Sequence, residues 1–188
     1  MSRLPMLCPD TACEQGAPTL KAIQKQLGML PNFFAGLANH GAALNGYLAF
    51  DDTLSQHSRL TPAQRELIAL AIANANGCHY CVSGHTMKAK SLGIDADTAR
   101  QAQQGQAAAP YDQAILDVAL AVLEQHGHLS DDRLAAAREA GLDDATLVEI
   151  TSWVGLNSYS NWVNNLIQPK IDFPEVPLVE QPGGSLAQ

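Results

Sequence analysis

Two cysteines, a histidine and a glutamate stand at spacings that suit thiol chemistry. Cys78 and Cys81 are three residues apart, and His85 follows four residues later. Residues three or four apart lie on one face of a helix, so the imidazole is predicted within reach of the Cys81 sulfur. The same spacing puts the two cysteine Cα atoms about 5–6 Å apart, which a disulfide can bridge. An antiparallel turn near Gly77 is expected to fold the preceding helix, and Glu66 with it, against His85.

This arrangement predicts a redox-active thiol. A free thiol is only about 3% ionised at pH 7, and lowering its pKa by about 1.5 units, roughly 2 kcal/mol, makes it half ionised. An imidazolium at ~4 Å supplies up to ~4 kcal/mol at an effective dielectric constant of ~20, and a helix start also favours the thiolate. We therefore expect Cys81 to attack a peroxide O–O bond and Cys78 to resolve the sulfenic acid as a disulfide. His85 is the expected proton shuttle, Glu66 its orienting partner, and an outside dithiol the electron donor.

Other interpretations of the same residues stay open. The cysteines are also compatible with two buried structural thiols. Together with His85 and Glu66 they match a zinc site, although structural zinc usually recruits a second close cysteine pair. A thioredoxin-type fold would need a βαβ context, and the sequence carries no such pattern.

Helices are the elements that must position these residues. Nine segments carry helical periodicity with start and stop signals, and no alternating strand pattern is found. Thr61, Pro62 and Gln64 predict a capping box at the start of the helix that carries Glu66. We therefore predict an all-α fold.

The length of 188 residues suits one domain. We predict a helical domain over residues 17–168, a loose N-terminal arm over 1–16, and a Pro-rich C-terminal tail over 169–188 that is extended into solvent or laid on a neighbouring subunit. The long apolar helix near the end of the domain favours a homo-oligomer.

Composition narrows the functional class. The net charge is −8, which argues against a nucleic-acid partner because no basic patch can displace counterions from a polyanion. No apolar run is long enough to span a membrane, and the first residues lack the apolar core of a signal peptide. We expect a cytoplasmic protein.

A few other residues could carry chemistry. Cys8 and Cys13 are expected to be incidental thiols on the arm, with a bridge between them as the alternative. The last helix places Trp153, Asn157 and Asn161 on one face, which either lines a pocket or subunit contact or faces solvent. Histidines that are expected at helix ends rather than at metal sites are His40, His57, His126 and His128.

The pattern Glu66-x11-Cys78-x2-Cys81-x3-His85 resembles the alkyl hydroperoxide reductase D-like (AhpD-like) family of the carboxymuconolactone decarboxylase superfamily. A looser likeness runs from the Leu30-Pro31-Asn32-Phe33 segment to the Asn157–Asn165 helix and is similar to the peroxidase-related branch. The resemblance implies an all-helical bundle assembled as dimers or trimers of dimers, and thiol-dependent peroxidase activity. It implies that the second cysteine is peroxidatic and the first resolving, and that Glu66 and His85 form the proton relay. We expect the Cys78–Cys81 redox disulfide to be the only cofactor, with no haem, flavin or metal.

One position departs from the family pattern. In the characterised peroxidase branch a second histidine lies immediately before the second cysteine, where this chain has Tyr80, with His79 one residue earlier. Neighbouring helix positions differ by about 100°, so His79 is not expected to face the sulfur. Tyr80 is expected either to pack as an aromatic or to donate a hydrogen bond. The alternatives are a Cys-independent decarboxylase or isomerase of the same superfamily, and a non-enzymatic redox-sensing or zinc-binding module.

Overall fold

The computed structural model describes residues 2–181, and these residues form helices and no strands. The predicted all-α class is confirmed. The helices within this range are α1 Ala17–Leu27, α2 Asn32–Leu37, α3 Gly41–Gln56, α4 Pro62–Ala75, α5 His79–Ser91, α6 Ala96–Gln103, α7 Pro110–Glu124, α8 Asp131–Glu139 and α9 Asp144–Ile167. None of the helices described is both long enough and apolar enough to cross a lipid bilayer.

The chain forms two compact units. Of the described residues, the first contains 2–57 together with Val163–Asp172, and the second contains Ser58–Trp162 and 173–181. All four residues of the predicted site belong to the second unit. The domain boundaries expected from the sequence stay a prediction.

The second unit is built around α4. The capping box predicted at its start is present: Gln64 N–H donates to Thr61 Oγ1 (3.2 Å), and Thr61 N–H donates to Gln64 Oε1 (2.9 Å). Every residue from Glu66 to Asn74 is buried, and α5, α6 and α7 pack against this helix. A charge that is buried away from water is strongly disfavoured unless it is paired, so the buried Glu66 requires partners.

A tight turn reverses the chain between α4 and α5. Gly77 has φ +63°, a left-handed conformation that glycine adopts without strain. Gly77 N–H donates to Asn74 O (3.0 Å) and Cys78 N–H donates to Ala73 O (2.9 Å), the pattern of a Schellman motif. The turn therefore satisfies the end of α4 and puts Cys78 directly before α5.

The N-terminal residues are held by the first unit. Arg3 N–H donates to Ile167 O (2.7 Å), and Leu7 N–H donates to Ala35 O (3.0 Å). This corrects the expectation of a loose arm. The hydrogen-bond partners of these N-terminal residues are distant in sequence. The irregularly spaced prolines of the segment therefore gave no indication of them.

The C-terminal tail is bound to the second unit of its own chain. Val176 N–H donates to Ser83 Oγ (3.0 Å). Asn74 clamps the backbone of Val179, with Nδ2 donating to the carbonyl (2.8 Å) and Oδ1 accepting from the N–H (2.9 Å). Asn74 is fully buried, so this clamp satisfies its amide.

These bonds correct the prediction that the tail faces solvent. Residues 173–181 are extended, as predicted, but they lie on helices of the same chain. Pro182 and the Gly-Gly-Ser segment that were included in the predicted tail lie outside the described residues.

The amide clamp yields a stability prediction. Asn74→Ala removes two buried hydrogen bonds and should lower the free energy of unfolding by about 2 kcal/mol, since each contributes about 1 kcal/mol net. Urea denaturation measures the change, and limited proteolysis should show faster cleavage of the tail. The control is Gln26→Ala on an exposed face of α1, which should stay within about 0.5 kcal/mol of wild type; equal losses in both variants would contradict the clamp.

Candidate active site

Cys78 and Cys81 are joined as a disulfide at the start of α5. Cys78 is the N-cap residue, and its Sγ accepts a hydrogen bond from Cys81 N–H (3.3 Å). Their Cα atoms are 5.2 Å apart, within the range expected from the three-residue spacing. Both side chains are buried.

Glu66 on α4 contacts His85 on α5. The Glu66 Oε2 to His85 Nδ1 distance is 2.8 Å. The contact forms because the turn at Gly77 makes the two helices antiparallel neighbours. The predicted pairing of carboxylate and imidazole is therefore present, on the helix that begins at the disulfide.

Lys88 is a third member of this cluster and was not among the residues predicted from the sequence. Its Nζ lies 2.7 Å from Glu66 Oε1. Lys88 is one turn beyond His85 on α5 and ten residues after Cys78, so it lies about 15 Å along α5 from the turn. Glu66 is ten residues before Asn76, about 15 Å back along α4. Because the two residues are equally far from the turn, their contact could have been predicted from the sequence.

The two cations determine the charge of the carboxylate. Burial raises the pKa of the Glu66 carboxyl, but the charges and hydrogen bonds of His85 and Lys88 outweigh burial and lower the pKa to about 2. Glu66 is thus ionised at neutral pH although its side chain is only 3% exposed. An ionised partner at Nδ1 fixes the orientation of the imidazole.

Tyr80 and His79 point to different environments. Tyr80 is buried, and its ring makes an edge contact with Phe173 of the tail at a centroid distance of 5.4 Å. A Cβ on Gly84 would come within 3.0 Å of the Phe173 ring, so the ring lies directly on α5 between the turns of Cys81 and His85. His79 is exposed, consistent with the expectation that it turns away from the sulfur. The packing role expected for Tyr80 is present.

The remaining candidates lie elsewhere. Cys8 and Cys13 are exposed free thiols in the first unit, so a bridge between them is not present. Hydrogen bonds, above all from the Thr11 side chain to Cys8 and from the Gly16 N–H to Cys13, lower the pKa of each thiol. His40 and His57 cap the two ends of α3, as helix-end residues should.

The polar face of α9 is buried. Asn157 Nδ2 donates to Trp153 O (2.8 Å), and Asn161 Oδ1 accepts from Asn76 Nδ2 (3.0 Å). The alternative in which this face lies in solvent is therefore wrong. Asn161 instead ties α9 to the residue that ends α4.

Chemically, the site combines a dithiol pair in its oxidised form with an imidazole and an ionised carboxylate. Within residues 2–181 there is no group of three or more His, Cys, Asp or Glu arranged to hold a metal ion.

Comparison with known proteins gives the family context. The sequence model of the carboxymuconolactone decarboxylase family matches residues 41–125, a range that includes the whole cluster. No curated protein matches the sequence.

Solved structures share the fold over nearly the whole chain. The alkylhydroperoxidase AhpD core of an uncharacterized peroxidase-related protein from Ralstonia eutropha JMP134 has 26% identity and a TM-score of 0.81, covering 91% of this chain and 92% of that one. A peroxidase-related protein from Silicibacter sp. TM1040 has 22% identity and a TM-score of 0.77, with 91% and 92% coverage. The debrominase Bmp8, in complex with 2,3,4-tribromopyrrole, has 17% identity and a TM-score of 0.72, with 90% coverage of both chains.

The helical fold, the family match around the cysteine pair and the likeness to the AhpD core agree. Residues 41–125 of this chain match the carboxymuconolactone decarboxylase family, and the fold is similar to that of the AhpD core.

Proposed function

We propose that this protein is a thiol-dependent peroxidase that reduces hydrogen peroxide or organic hydroperoxides through Cys78 and Cys81. The observation that carries the proposal is the 2.8 Å contact between Glu66 Oε2 and His85 Nδ1, on the helix that begins at the cysteine pair. A buried thiolate is disfavoured unless a positive group stands near it. His85, four residues after Cys81, supplies that group.

The first half of the reaction oxidises Cys81. The Cys81 thiolate attacks one peroxide oxygen, the O–O bond breaks, and the leaving alkoxide or hydroxide takes a proton from His85. The products are a Cys81 sulfenic acid and an alcohol or water. Because Nδ1 is held by Glu66, Nε2 is the ring nitrogen that serves this proton transfer.

The second half restores the dithiol. The Cys78 thiol attacks the Cys81 sulfenic sulfur, a disulfide forms, and the thiol proton leaves with the hydroxyl as water. An external dithiol then reduces the disulfide and is itself oxidised to a disulfide. The Cys81 thiol returns its proton to His85, which closes the cycle. We place this cycle in the cytoplasm, where such donors are kept reduced.

We also propose that the protein is a homo-oligomer that pairs through the exposed face of α9. Val148 and Trp162 are 67% and 60% exposed, and both lie seven residues from Gly155, where a Cβ would meet nothing within 4 Å. Thr151 and Tyr159 are exposed on the same face, four residues to either side of Gly155.

This face suits a second copy of the same chain. In a dimer whose two-fold axis passes through Gly155, the two α9 helices are antiparallel. Val148 of each copy then faces Trp162 of the other, and Thr151 faces Tyr159, so a smaller side chain always meets a larger one. Two chains of net charge −8 repel each other, and α9 carries no charged residue after Glu149. A second copy therefore meets no like charge along this stretch.

The cysteine roles give the first functional prediction. One equivalent of peroxide should remove two thiols from the reduced protein. Cys81→Ser should abolish peroxide consumption. Cys78→Ser should consume one equivalent and leave a sulfenic acid that dimedone traps, and Cys8→Ser with Cys13→Ser should behave as wild type. Peroxide turnover by Cys81→Ser would contradict the assignment, and stoichiometric zinc in the purified reduced protein would favour the zinc-binding alternative.

The relay predicts a specific effect of Glu66→Gln. The amide keeps the shape but removes the charge that orients His85, so kcat/KM for peroxide should fall about 10²-fold. The same variant should also change the pH dependence of stability. The pKa of Glu66 is lower in the folded protein, about 2, than in the unfolded chain. The ionised carboxyl therefore stabilises the fold at pH values above the unfolded pKa, and this contribution is lost as the pH falls toward the folded pKa. The difference in unfolding free energy between wild type and variant should therefore grow by up to about 3 kcal/mol between pH ~2 and ~4.5, then stay constant. Glu139→Gln on the exposed side of α8 is the control; unchanged kinetics and a flat difference would refute the relay.

The oligomer is tested by mass. Light scattering of the wild type should give a multiple of the 20.0 kDa protomer. Trp162→Glu should yield a monomer because two carboxylates would be buried across the axis, whereas Phe50→Glu on the exposed side of α3 should leave the mass unchanged. A monomeric wild type would contradict the proposal.

A further inference from the structure

One buried carboxylate binds two cations, and the proposed reaction uses only one of them. Glu66 Oε2 contacts His85 Nδ1 at 2.8 Å and Glu66 Oε1 contacts Lys88 Nζ at 2.7 Å. The Lys88 side chain is 62% exposed while that of Glu66 is 3% exposed. Lys88 thus reaches from the surface of α5 to a carboxylate in the interior, although it could keep its ammonium fully hydrated.

The two contacts fix the carboxylate geometrically. His85 and Lys88 are three residues apart on α5 and lie on one face, so each oxygen of Glu66 has its own donor. Rotation of the carboxylate would break both contacts together. The position of Oε2, and with it the orientation of the imidazole, therefore depends on the bond that Lys88 makes to Oε1.

His85 and Lys88 differ in how long they keep their positive charge during the proposed cycle. In the proposed cycle His85 donates its proton to the leaving oxygen and stays neutral until Cys81 is reduced again. During that interval an isolated buried carboxylate would be strongly disfavoured and would compete for a proton. A lysine keeps its charge throughout.

Among the described residues, the largest charge effects on Glu66 come from His85 and Lys88. On α7, which also packs against α4, Asp112 is bonded to Gln64 Nε2 at 2.8 Å and is itself an acid. On α6 the charged groups are Asp97 and Arg100, and neither is among the main causes of the lowered Glu66 pKa.

We propose that Lys88 is a positioning residue, the permanent cation that keeps Glu66 ionised and holds its Oε2 toward His85 Nδ1 while the imidazole is neutral. The consequence for turnover rests on the proposed peroxidase function. The effect on the charge of Glu66 does not, and it can be measured without any substrate.

The test measures the NMR chemical shift of the Glu66 carboxyl carbon against pH in reduced protein labelled with 13C-glutamate. The Glu66 signal is identified as the one that is missing from the Glu66→Gln variant. In wild type the signal should stay at its ionised position from pH ~7 to ~3, as expected for a carboxyl with a pKa of about 2. Lys88→Met keeps the length but removes the charge, and the signal should titrate within this window. Lys88→Arg should restore the wild-type behaviour, and Lys90→Met, on the exposed side of the same helix, should not change it. Lys88→Gln serves as a second neutral variant if Lys88→Met does not fold.

Activity supplies the second readout. At pH ~7, kcat/KM for peroxide should fall about tenfold in Lys88→Met, equivalent to about 1.4 kcal/mol, and recover in Lys88→Arg. A Glu66 signal that does not titrate in either neutral variant overturns the role of Lys88, whatever the activity. A titrating signal in proteins that all lack peroxide turnover confirms the role of Lys88 and refutes the proposed function instead.

Discussion

The site depends on one constraint: the Glu66 carboxylate, at the start of the buried stretch of α4, must have cationic partners. Glu66 satisfies it through His85 and Lys88 of the next helix. Breaking a buried ion pair by removing one partner typically costs about 3–5 kcal/mol, so the α4–α5 hairpin and the ion cluster stabilise each other. The Glu66–His85 contact that orients the imidazole therefore also stabilises the fold.

The turn at Gly77 brings the partners of Glu66 within reach. The Schellman motif at Gly77 ends α4 and starts α5 within three residues, and Cys78 serves as N-cap with its sulfur. The cysteine pair is thereby confined to the first turn of a helix whose later turns carry the cations. Phe173 of the tail covers the flank of α5 at Tyr80 and Gly84, where the family pattern would place a histidine beside the second cysteine. The site is more aromatic on that side than the resemblance implies.

Much of this could be predicted from local patterns. The capping box of α4, the helical class and the Cys78–Cys81 spacing are short-range signals, and their physics acts within one or two turns. The Glu66–His85 pairing needed only the added assumption of an antiparallel turn. Lys88 was missed because a lysine on an exposed helix position is ordinary, and only residue counting from the turn distinguishes it. The tail was unpredictable in principle, since the Asn74 clamp joins residues 105 apart in a segment without periodicity.

We propose above all that His85, oriented by Glu66, stabilises the Cys81 thiolate. The most direct test is the thiolate absorbance near 240 nm, followed against pH in reduced protein carrying Cys78→Ser, Cys8→Ser and Cys13→Ser, so that Cys81 is the only thiol. We expect an ionisation midpoint at or below about pH 7, against about 8.5 for a free thiol, and a midpoint raised by at least about one unit when Glu66→Gln is added. A midpoint at or above about 8.5 that Glu66→Gln leaves unchanged would contradict it.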